Sequence, residues 1–503
     1  MRVRYAPSPT GELHLGSLRT VIFDWLTARG AQDGVFIVRI EDTDQSRLVP
    51  GATERLLEAM RWMGITPDEG VYLDENGKLA EKGEYGPYIQ SQRLSIYREQ
   101  ADRLVEDGHA YRCFCTPERL EQMRAEQQAN HLPPRYDRQC RSLTREESDR
   151  RAAAGEPYVI RHAIPDSGEV RFVDLIRGEI TFQVAILDDY VLLKSDGFPT
   201  YQLASVVDDH FMKISCVLRG EEWIPSLPKN ILLYQAFGWD PPAFAHVPVI
   251  LGPDGKHKLS KRDGDVAVLD YQEKGYLPEA LCNVLAFLGW SPGTEEEFFS
   301  REELADRFRL EKVQKSPAVF SFERLDFVNG WYIRHLPITK FLEYLYPRWE
   351  KAELMEAGKL AHEIILPDNL DRYLMAVAGA VQERMKHFDE TEALTHFFLR
   401  RPEVTPELVE LIIPKKSDRA EILTMYAQTV EVLQNIGKNW TTEGLEEAVY
   451  AYIEENGYKK GEVLWPIRAA LTGEPASPGA FEMLSVLGRE ESLVRLQSVL
   501  EVI

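Results

Sequence analysis

The sequence predicts an α/β doubly wound parallel sheet that carries an α+β insertion and is followed by an all-α region. In residues 1–110, short apolar runs typical of strands alternate with helical patterns, as expected for parallel strands joined by crossover helices. Residues 111–194 change to short strand signals and charged helical patterns, and the sheet pattern resumes at 195–250. After about residue 320 strand alternation nearly disappears and helical periodicity dominates.

The first strand runs into a turn that prevents its continuation. Residues 3–6 are typical of a short strand, and Pro7 and Pro9 then forbid both a helix and further strand pairing. From Leu13 onward, apolar residues at helical spacing predict a buried helix that ends near Gly30.

His14 and Gly16 fall in the first turn of this predicted helix. The unpaired N–H groups and the positive end of the helix dipole favour a phosphate at that position. Gly16 has no side chain, so a flat ligand such as adenine could lie against the backbone. The alternative is that His14 merely caps a surface helix.

Other predicted strands end with charged residues. Residues 35–40 suit a strand that is covered on both faces, and Glu41 follows directly. Residues 214–218 predict a strand that ends at Arg219. Because ligands of parallel sheets bind at the carboxyl ends of the strands, we expect Glu41 and Arg219 to meet Arg4 at one rim.

A basic loop lies at residues 256–262, with three lysines and one arginine in a chain of formal net charge −22. A solvated charge run is the usual explanation of such a segment. Here apolar residues at 247–251 and 266–269 flank the loop, which indicates that it is anchored. No G-x-x-x-x-G-K-[ST] motif occurs, so a nucleotide site in this chain would not be a P-loop.

Two of these stretches together resemble the paired signature of class I aminoacyl-tRNA synthetases. They are Ala6-Pro7-Ser8-Pro9-Thr10-Gly11 with His14-Leu15-Gly16-Ser17, and Lys258-Leu259-Ser260-Lys261-Arg262. Five further stretches resemble bacterial glutamyl-tRNA synthetases, so that the resemblance spans essentially the whole chain. They are residues 36–44, 195–201, 206–210, 219–223 and 465–473.

The resemblance implies a domain plan. Residues 1–110 and 195–250 would form a split Rossmann-type catalytic domain, with an inserted acceptor-binding domain at 111–194. A stem-contact domain carrying the basic loop would occupy 251–322, and a helical anticodon-binding region of two subdomains would occupy 323–503. Glutaminyl-tRNA synthetases have β-barrels at the anticodon end, so the helical tail favours the glutamyl family.

The resemblance also implies the reaction. L-Glutamate and ATP, with Mg²⁺ on the phosphates, would form glutamyl-adenylate, and glutamate would pass to the 3′-terminal adenosine of tRNA(Glu) with release of AMP and pyrophosphate. The implied catalytic residues are His14, Gly16, Lys258, Ser260 and Lys261. The implied ATP-binding residues are Pro9, Gly11, His14, Gly16, Ser17, Leu259, Lys261 and Arg262.

The amino acid requires anchors for two carboxylates and one ammonium group. The residues that the resemblance implies are Arg4, Ala6, Ser8, Glu41, Tyr201 and Arg219. A guanidinium group has only donors, so it matches a carboxylate and pairs poorly with the NH₂ of a glutamine side chain. The alternative is that Arg4 and Arg219 form structural ion pairs with nearby carboxylates, namely Glu41, Asp208 or Asp209.

Three cysteines form a candidate zinc site. Cys113 and Cys115 are followed by Cys140, and three thiolates fit tetrahedral zinc. Relatives that bind zinc here use a later Tyr or His, and Ser142 stands two positions beyond Cys140, so Tyr136 would have to be the fourth ligand. The alternative is a set of three buried, reduced cysteines.

Composition sets further expectations. The sequence has no run of 18 apolar residues, no basic and apolar leader, and five cysteines, which favours a cytoplasmic, reduced chain without a membrane segment. A monomer is expected. The pI near 5.1 predicts no general attraction to nucleic acid, so tRNA would need local basic patches. Candidates in the tail, each also explicable as solvated surface, are Arg400, Arg401, Lys415, Lys416, Lys459 and Lys460.

Three other functions stay open at this point. A glutaminyl relative would differ in its anticodon end, and a tRNA-base-modifying relative would lack the helical half. A catalytically silent paralogue that only binds tRNA or a partner would not need both His14 and Lys258. Whether such a chain also charges tRNA(Gln) depends on how the helical tail reads the anticodon.

Overall fold

The computed structural model describes residues 1–260, 263, 267–415 and 417–503. These residues form two compact units, Met1–Tyr271 with Leu281–Phe322, and Gln272–Ala280 with Glu323–Ile503. None of the helices in the described ranges combines the length and the apolar character needed to cross a bilayer.

The strands are short, and most lie in the first unit. Their bounds are β1 Arg2–Tyr5, β2 Val35–Val38, β3 Glu69–Leu73, β4 Leu79–Lys82, β5 Ala110–Cys113, β6 Val159–His162, β7 Glu169–Asp174, β8 Gly178–Gln183, β9 Val191–Leu193, β10 Cys216–Gly220, β11 Ala243–Val247, β12 Ile250–Leu251, β13 Ala318–Val319, β14 Met355–Glu356 and β15 Lys359–Leu360.

The helices follow the strands in the first unit and make up most of the second. Their bounds are α1 Leu15–Arg29, α2 Ala52–Trp62, α3 Leu94–Glu106, α4 Pro117–Ala129, α5 Arg145–Ala153, α6 Tyr201–Phe211, α7 Leu227–Phe237, α8 Val268–Glu273, α9 Pro278–Phe287, α10 Arg301–Arg307, α11 Phe322–Arg334, α12 Ile338–Lys351, α13 Leu370–Gln382, α14 Thr391–Leu399, α15 Pro406–Leu411, α16 Arg419–Asn435, α17 Thr442–Asn456, α18 Lys460–Thr472 and α19 Ala480–Leu500.

Two four-stranded sheets of the first unit confirm the predicted fold class. One has the order β1-β2-β3-β4, with β1, β2 and β3 parallel. The other has the order β10-β11-β7-β8, with β10, β11 and β7 parallel. The edges β1 and β10 lie side by side, since the N–H of Ser215 donates to the carbonyl of Arg2 at 2.9 Å. The carboxyl ends of both sets of parallel strands therefore share a rim.

The outer strands β4 and β8 are antiparallel, so both sheets are mixed. Each outer strand follows its neighbour through a tight turn, which is too short for the crossover that parallel pairing needs. Asp74 stabilises one of these turns by accepting the N–H groups of Asn76 and Lys78. The hairpin β7–β8 lies within residues 111–194, yet β7 pairs with β11 of the rim-forming sheet.

The sequence pattern predicts a helix over residues 201–207, and helix α6 continues beyond it. The sequence pattern ends there because Asp208 and Asp209 interrupt the apolar spacing. In the structure both aspartates are buried and paired with arginines, which lets the helix continue to Phe211 without leaving charges unpaired.

A buried charge network ties α6 to the first sheet. Asp209 accepts from Arg4 at 3.1 Å and from Arg39 at 2.7 Å. Asp208 accepts from Arg93 at 2.7 Å. Burial by itself would raise the pKa of Asp209, but the charges of Arg4 and Arg39 outweigh it and hold the pKa below the ordinary value.

The described residues of the second unit are mainly helical, as the sequence pattern predicts, and they include the small hairpin β14–β15. Its helices bury Leu374, Leu433 and Leu496 completely. A buried carboxylate, Glu491 of α19, accepts from Arg495 at 2.8 Å and from Arg401 at 2.6 Å. This network holds the last helix to the loop that precedes α15.

Candidate active site

A cleft of about 1070 Å³ opens at the shared rim of the two sheets. It brings together most of the predicted ATP and amino-acid residues, which come from five separate parts of the chain. Those that line it are Arg4, Ala6, Ser8, Gly11, His14, Gly16, Ser17, Glu41, Tyr201, Arg219, Lys258, Leu259 and Ser260. Pro9 is buried beside the cleft and does not line it.

His14 is the N-cap residue of α1. Its Nδ1 accepts the N–H of Ser17 at 3.2 Å, which places the proton on Nε2, 3.0 Å from the Ser17 hydroxyl. Enclosure by the cleft walls and the charge of Lys258 lower the pKa of His14. This shift favours the neutral imidazole, which faces the cleft beside the positive end of the helix.

Gly16 allows the His14 ring to lie over the first turn of α1. A Cβ atom at residue 16 would approach Nδ1 and Cε1 of His14 to 3.2 Å. This contact is a second reason for glycine at this position, in addition to the expected space for a flat ligand. A side chain here would displace the imidazole.

Lys258 is held on the opposite wall by a short hairpin. Leu251 and Lys258 form an antiparallel bridge, and the N–H of Leu259 donates to Ile250 at 2.9 Å. The ammonium group of Lys258 lies 3.8 Å from Glu222 and is exposed. The predicted Lys261 and Arg262 lie outside the described residues.

Ser260 forms hydrogen bonds within the basic loop. Its N–H and its hydroxyl both donate to one oxygen of Asp263, at 2.8 and 3.1 Å. The other oxygen of Asp263 bonds His257 at 2.6 Å, and Asp254 bonds the second ring nitrogen of His257 at 2.8 Å. The two carboxylates raise the pKa of His257. These bonds hold the described part of the basic loop in a defined shape.

Arg4 and Glu41 lie at the floor of the cleft, and both are buried. Arg4 pairs with Asp209, so it does make the structural ion pair considered as an alternative. Glu41 accepts from Arg39 at 2.8 Å. Burial raises the pKa of Glu41 although the charge of Arg39 opposes the shift.

Arg219 has a different environment. Its Nη1 donates to the hydroxyl of Tyr201 at 2.5 Å, and the Tyr201 ring lies against Trp223 with centroids 4.5 Å apart. Its Nη2 is buried and has no hydrogen-bond partner among the described residues. A buried guanidinium nitrogen without a partner is costly, so the site favours an anionic ligand at this point.

Several residues of the site were not identified from the sequence. Arg39 and Trp223 lie within stretches that carry the resemblance, but neither was assigned a role. The sequence indicates Asp209 only as a candidate partner in a structural ion pair. No sequence motif near His246 or Asp174 indicates a role for them. The two residues come together only because strands that are distant in the sequence pair in the sheet.

The three cysteines of the candidate zinc site do come together. The Sγ atoms of Cys113, Cys115 and Cys140 all lie within 4.8 Å of one another. The hydroxyl of Tyr136 is 3.2 Å from the sulfur of Cys113 and 3.4 Å from that of Cys115. The hydrogen bond with Cys140 lowers the pKa of Cys113. Three soft donors and one phenol form a set that fits tetrahedral zinc.

The candidate basic residues of the helical tail differ in their surroundings. Arg401 is committed to the buried Glu491, and Lys459 bonds Glu462 at 2.9 Å. Lys460 lies over the Tyr450 ring at 4.0 Å. Arg400 lines a separate cleft of about 840 Å³, Lys415 is exposed, and Lys416 lies outside the described residues.

The fold and this cleft define a class I aminoacyl-tRNA synthetase. The family model "tRNA synthetases class I (E and Q), catalytic domain" matches residues 1–327, and the model "Anticodon binding domain" matches residues 340–500. Enzymes of this class use ATP. The chain belongs to the glutamate–tRNA ligase family, as its full-length relatives demonstrate.

Two curated glutamate–tRNA ligases illustrate the relationship. The protein of Dehalococcoides mccartyi is 46% identical over 99% of this chain and 97% of its own length. That of Finegoldia magna is 42% identical over 99% of both chains. A crystal structure of the glutamate tRNA ligase of Elizabethkingia meningosepticum, in complex with its amino acid, superposes with a TM-score of 0.88. It is 35% identical and covers 100% of this chain and 99% of that one.

Proposed function

We propose that this chain activates L-glutamate with ATP to glutamyl-adenylate and transfers glutamate to the 3′-terminal adenosine of tRNA(Glu), releasing AMP and pyrophosphate. The observation that carries the proposal is the buried Nη2 of Arg219, which has no hydrogen-bond partner within the part of the chain that the structure describes. It lies beside the Tyr201 hydroxyl in a cleft that the N-terminus of α1 also lines. Arg219 would bind the side-chain carboxylate of glutamate.

Adenylate formation joins the α-carboxylate oxygen to the α-phosphorus of ATP and breaks the bond to the departing pyrophosphate. Negative charge grows on the phosphoryl oxygens, so catalysis depends on positioning and on nearby donors. The first turn of α1 supplies N–H groups and the His14 imidazole, and Lys258 supplies a cation from the opposite wall. Mg²⁺ would accompany the phosphates of ATP.

Glu41 would bind the α-ammonium group, and Arg4 and Ser8 would contribute to the amino-acid pocket. The half-buried Ala6 and the exposed Ser8 lie between Arg4 and the turn before α1, within reach of a small ligand. Because Arg4 is already paired with Asp209, it would act mainly by its charge. Nη2 of Arg219, in contrast, has no partner among the residues described.

The first test is aminoacylation with labelled glutamate and, separately, glutamine, on purified tRNA(Glu) and tRNA(Gln), each with and without ATP. We expect ATP-dependent charging of glutamate onto tRNA(Glu) and no charging of glutamine. Charging of tRNA(Gln) with glutamate would identify a nondiscriminating enzyme. Failure to charge glutamate onto any tRNA would contradict the proposal and favour a silent paralogue.

The domain plan and the tRNA contacts belong to the same proposal. Residues 111–194 would contact the acceptor end, 251–322 the stem, and 323–503 the anticodon. Among the basic candidates of the tail, Arg400 and Lys415 are exposed, whereas Arg401 is engaged by Glu491. The enzyme would act as a cytoplasmic monomer.

We further propose that Cys113, Cys115, Cys140 and Tyr136 hold one structural zinc ion. Zinc would fasten the end of β5 to the segment before α5. Elemental analysis of the purified chain should find about one zinc per chain, since the four donors match the four ligands of a tetrahedral zinc site. Cys140→Ala should lose the metal. The matched control is Cys216→Ala, which removes a buried thiol elsewhere and should retain it; equal zinc in both variants would refute the site.

A further inference from the structure

We infer that Asp174 and His246 are positioning residues that fix the guanidinium of Arg219 for a ligand carboxylate and thereby determine the choice of glutamate over glutamine. The inference rests on the proposed function and extends it to two residues that do not line the cleft. Both are buried, with 1% of Asp174 and none of His246 exposed.

Strand pairing brings the three residues into line. In the parallel pair β10–β11, Arg219 is opposite His246, and in the pair β11–β7, Phe244 is opposite Asp174. Nε of Arg219 donates to Nε2 of His246 at 3.0 Å. Nδ1 of His246 is 2.6 Å from Oδ2 of Asp174. A continuous chain of hydrogen bonds therefore runs from β7 through β11 to the cleft.

The protons in this chain can be assigned. Nε of arginine always carries hydrogen, so Nε2 of His246 must accept, and the proton of a neutral imidazole must reside on Nδ1. Nδ1 then donates to Oδ2 of Asp174. The charged groups around His246 are Asp174, Arg219 and Arg177, and burial with the two arginines keeps its pKa below the ordinary value despite Asp174. His246 is thus a neutral acceptor.

Asp174 is itself held in one orientation. Its Oδ1 accepts the backbone N–H groups of Ile176 at 3.0 Å, Arg177 at 2.8 Å and His246 at 3.3 Å. Only Oδ2 is left for the imidazole. The backbone therefore determines the orientation of the carboxylate, the carboxylate determines the imidazole tautomer, and the imidazole determines the position of Arg219.

The consequence for recognition lies in which edge of Arg219 remains available. His246 occupies Nε and Tyr201 takes one N–H of Nη1, so Nη2 and the remaining N–H of Nη1 are left. This end-on edge presents only donors and matches the two oxygens of a carboxylate. The NH₂ of a glutamine side chain would face another donor. Without His246 the guanidinium could turn and present its edge at other angles.

Asp174→Asn tests the inference because it should move the imidazole proton of His246 from Nδ1 to Nε2. The asparagine oxygen must stay on the three backbone N–H groups, so its NH₂ faces Nδ1 of His246. The imidazole must then carry its proton on Nε2, where it opposes Nε–H of Arg219. In aminoacylation we expect the KM for glutamate to rise at least about tenfold, while the KM for ATP stays within about twofold. The preference for glutamate over glutamine should fall as well.

Asp189→Asn is the matched control. Asp189 is equally buried, lies in the same 111–194 segment and accepts from Tyr111 at 2.8 Å, but has no contact with Arg219 or His246. Its asparagine variant should leave the KM for glutamate within about twofold of the parent enzyme.

A second pair of variants covers the case in which Asp174→Asn does not fold. His246→Gln retains an acceptor for Arg219 and a donor for Asp174, whereas His246→Leu has similar bulk and neither group. We expect the glutamine variant to keep the KM for glutamate within about threefold and the leucine variant to raise it at least about tenfold. Equal KM values in these two variants would overturn the inference.

The outcomes separate this inference from the proposed function. If the parent enzyme charges glutamate and no substitution at Asp174 or His246 changes its KM for glutamate, the positioning role is refuted and the proposed function stands. If the parent enzyme charges no glutamate, the proposed function fails and the positioning role fails with it.

Discussion

Replacing Arg219 by leucine is expected to lower kcat/KM for glutamate by about a thousandfold. Loss of one partner of a buried, hydrogen-bonded charge pair costs roughly 4 kcal/mol, and each 1.4 kcal/mol is about tenfold. The variant would leave the glutamate carboxylate unpaired at the floor of the cleft, beside the Tyr201 hydroxyl. Steady-state aminoacylation at varied glutamate concentration measures the effect.

Arg171→Leu is the control for the loss of an arginine in this region. Arg171 lies on β7, and 66% of its side chain is exposed, where it pairs with Glu169. Surface pairs of this kind contribute little, so kcat/KM should change by less than about twofold. A loss smaller than about tenfold in Arg219→Leu would show that another group binds the side-chain carboxylate.

Replacing His14 by asparagine is expected to lower kcat about a hundredfold, with little change in melting temperature. Asparagine is among the best N-cap residues, so it preserves the cap of α1 that His14 now provides to the N–H of Ser17. It lacks the ring that faces the cleft. The loss of a donor that acts in the transition state costs roughly 3 kcal/mol, which is about a hundredfold.

Two comparisons make this prediction specific to catalysis. His14→Ala should lose the same activity and also lower the melting temperature, because alanine cannot cap the helix. His131→Asn changes an exposed histidine with a φ of 56°, a conformation that asparagine tolerates, and should leave both quantities unchanged. Full activity of His14→Asn would mean that the imidazole only caps the helix.

Local chemistry accounts for the parts of the site that could be predicted from the sequence. Pro7 and Pro9 end the first strand, and Gly11 suits the turn that precedes α1, so the strand, the turn and the start of α1 follow from the residues themselves. The same holds for Glu41 and Arg219, because each comes directly after an apolar run in the sequence. The spacing of Cys113, Cys115 and Cys140 likewise indicated a cluster that the structure brings together.

The partners of the buried charges could not be predicted in this way. Arg39 pairs with a carboxylate 170 residues away, and no local pattern distinguishes Asp209 from other aspartates. Asp174 lies in a segment whose composition predicts an insertion, although its strand pairs with β11. Such contacts depend on the order of strands in the finished sheet, which short-range spacing does not contain.

The buried charge network also bears on synthesis of the protein. Arg4 and Arg39 leave the ribosome early, but Asp209, which pairs with both, is translated much later. At roughly 5–20 residues per second, the intervening 170 residues take roughly 10 to 35 s. During this interval burial of the first strand would leave Arg4 without its carboxylate partner, and Arg39 could pair with Glu41 but not yet with Asp209. We therefore expect the first sheet of the nascent chain, β1-β2-β3-β4, to remain incompletely packed and accessible to chaperones until α6 has emerged.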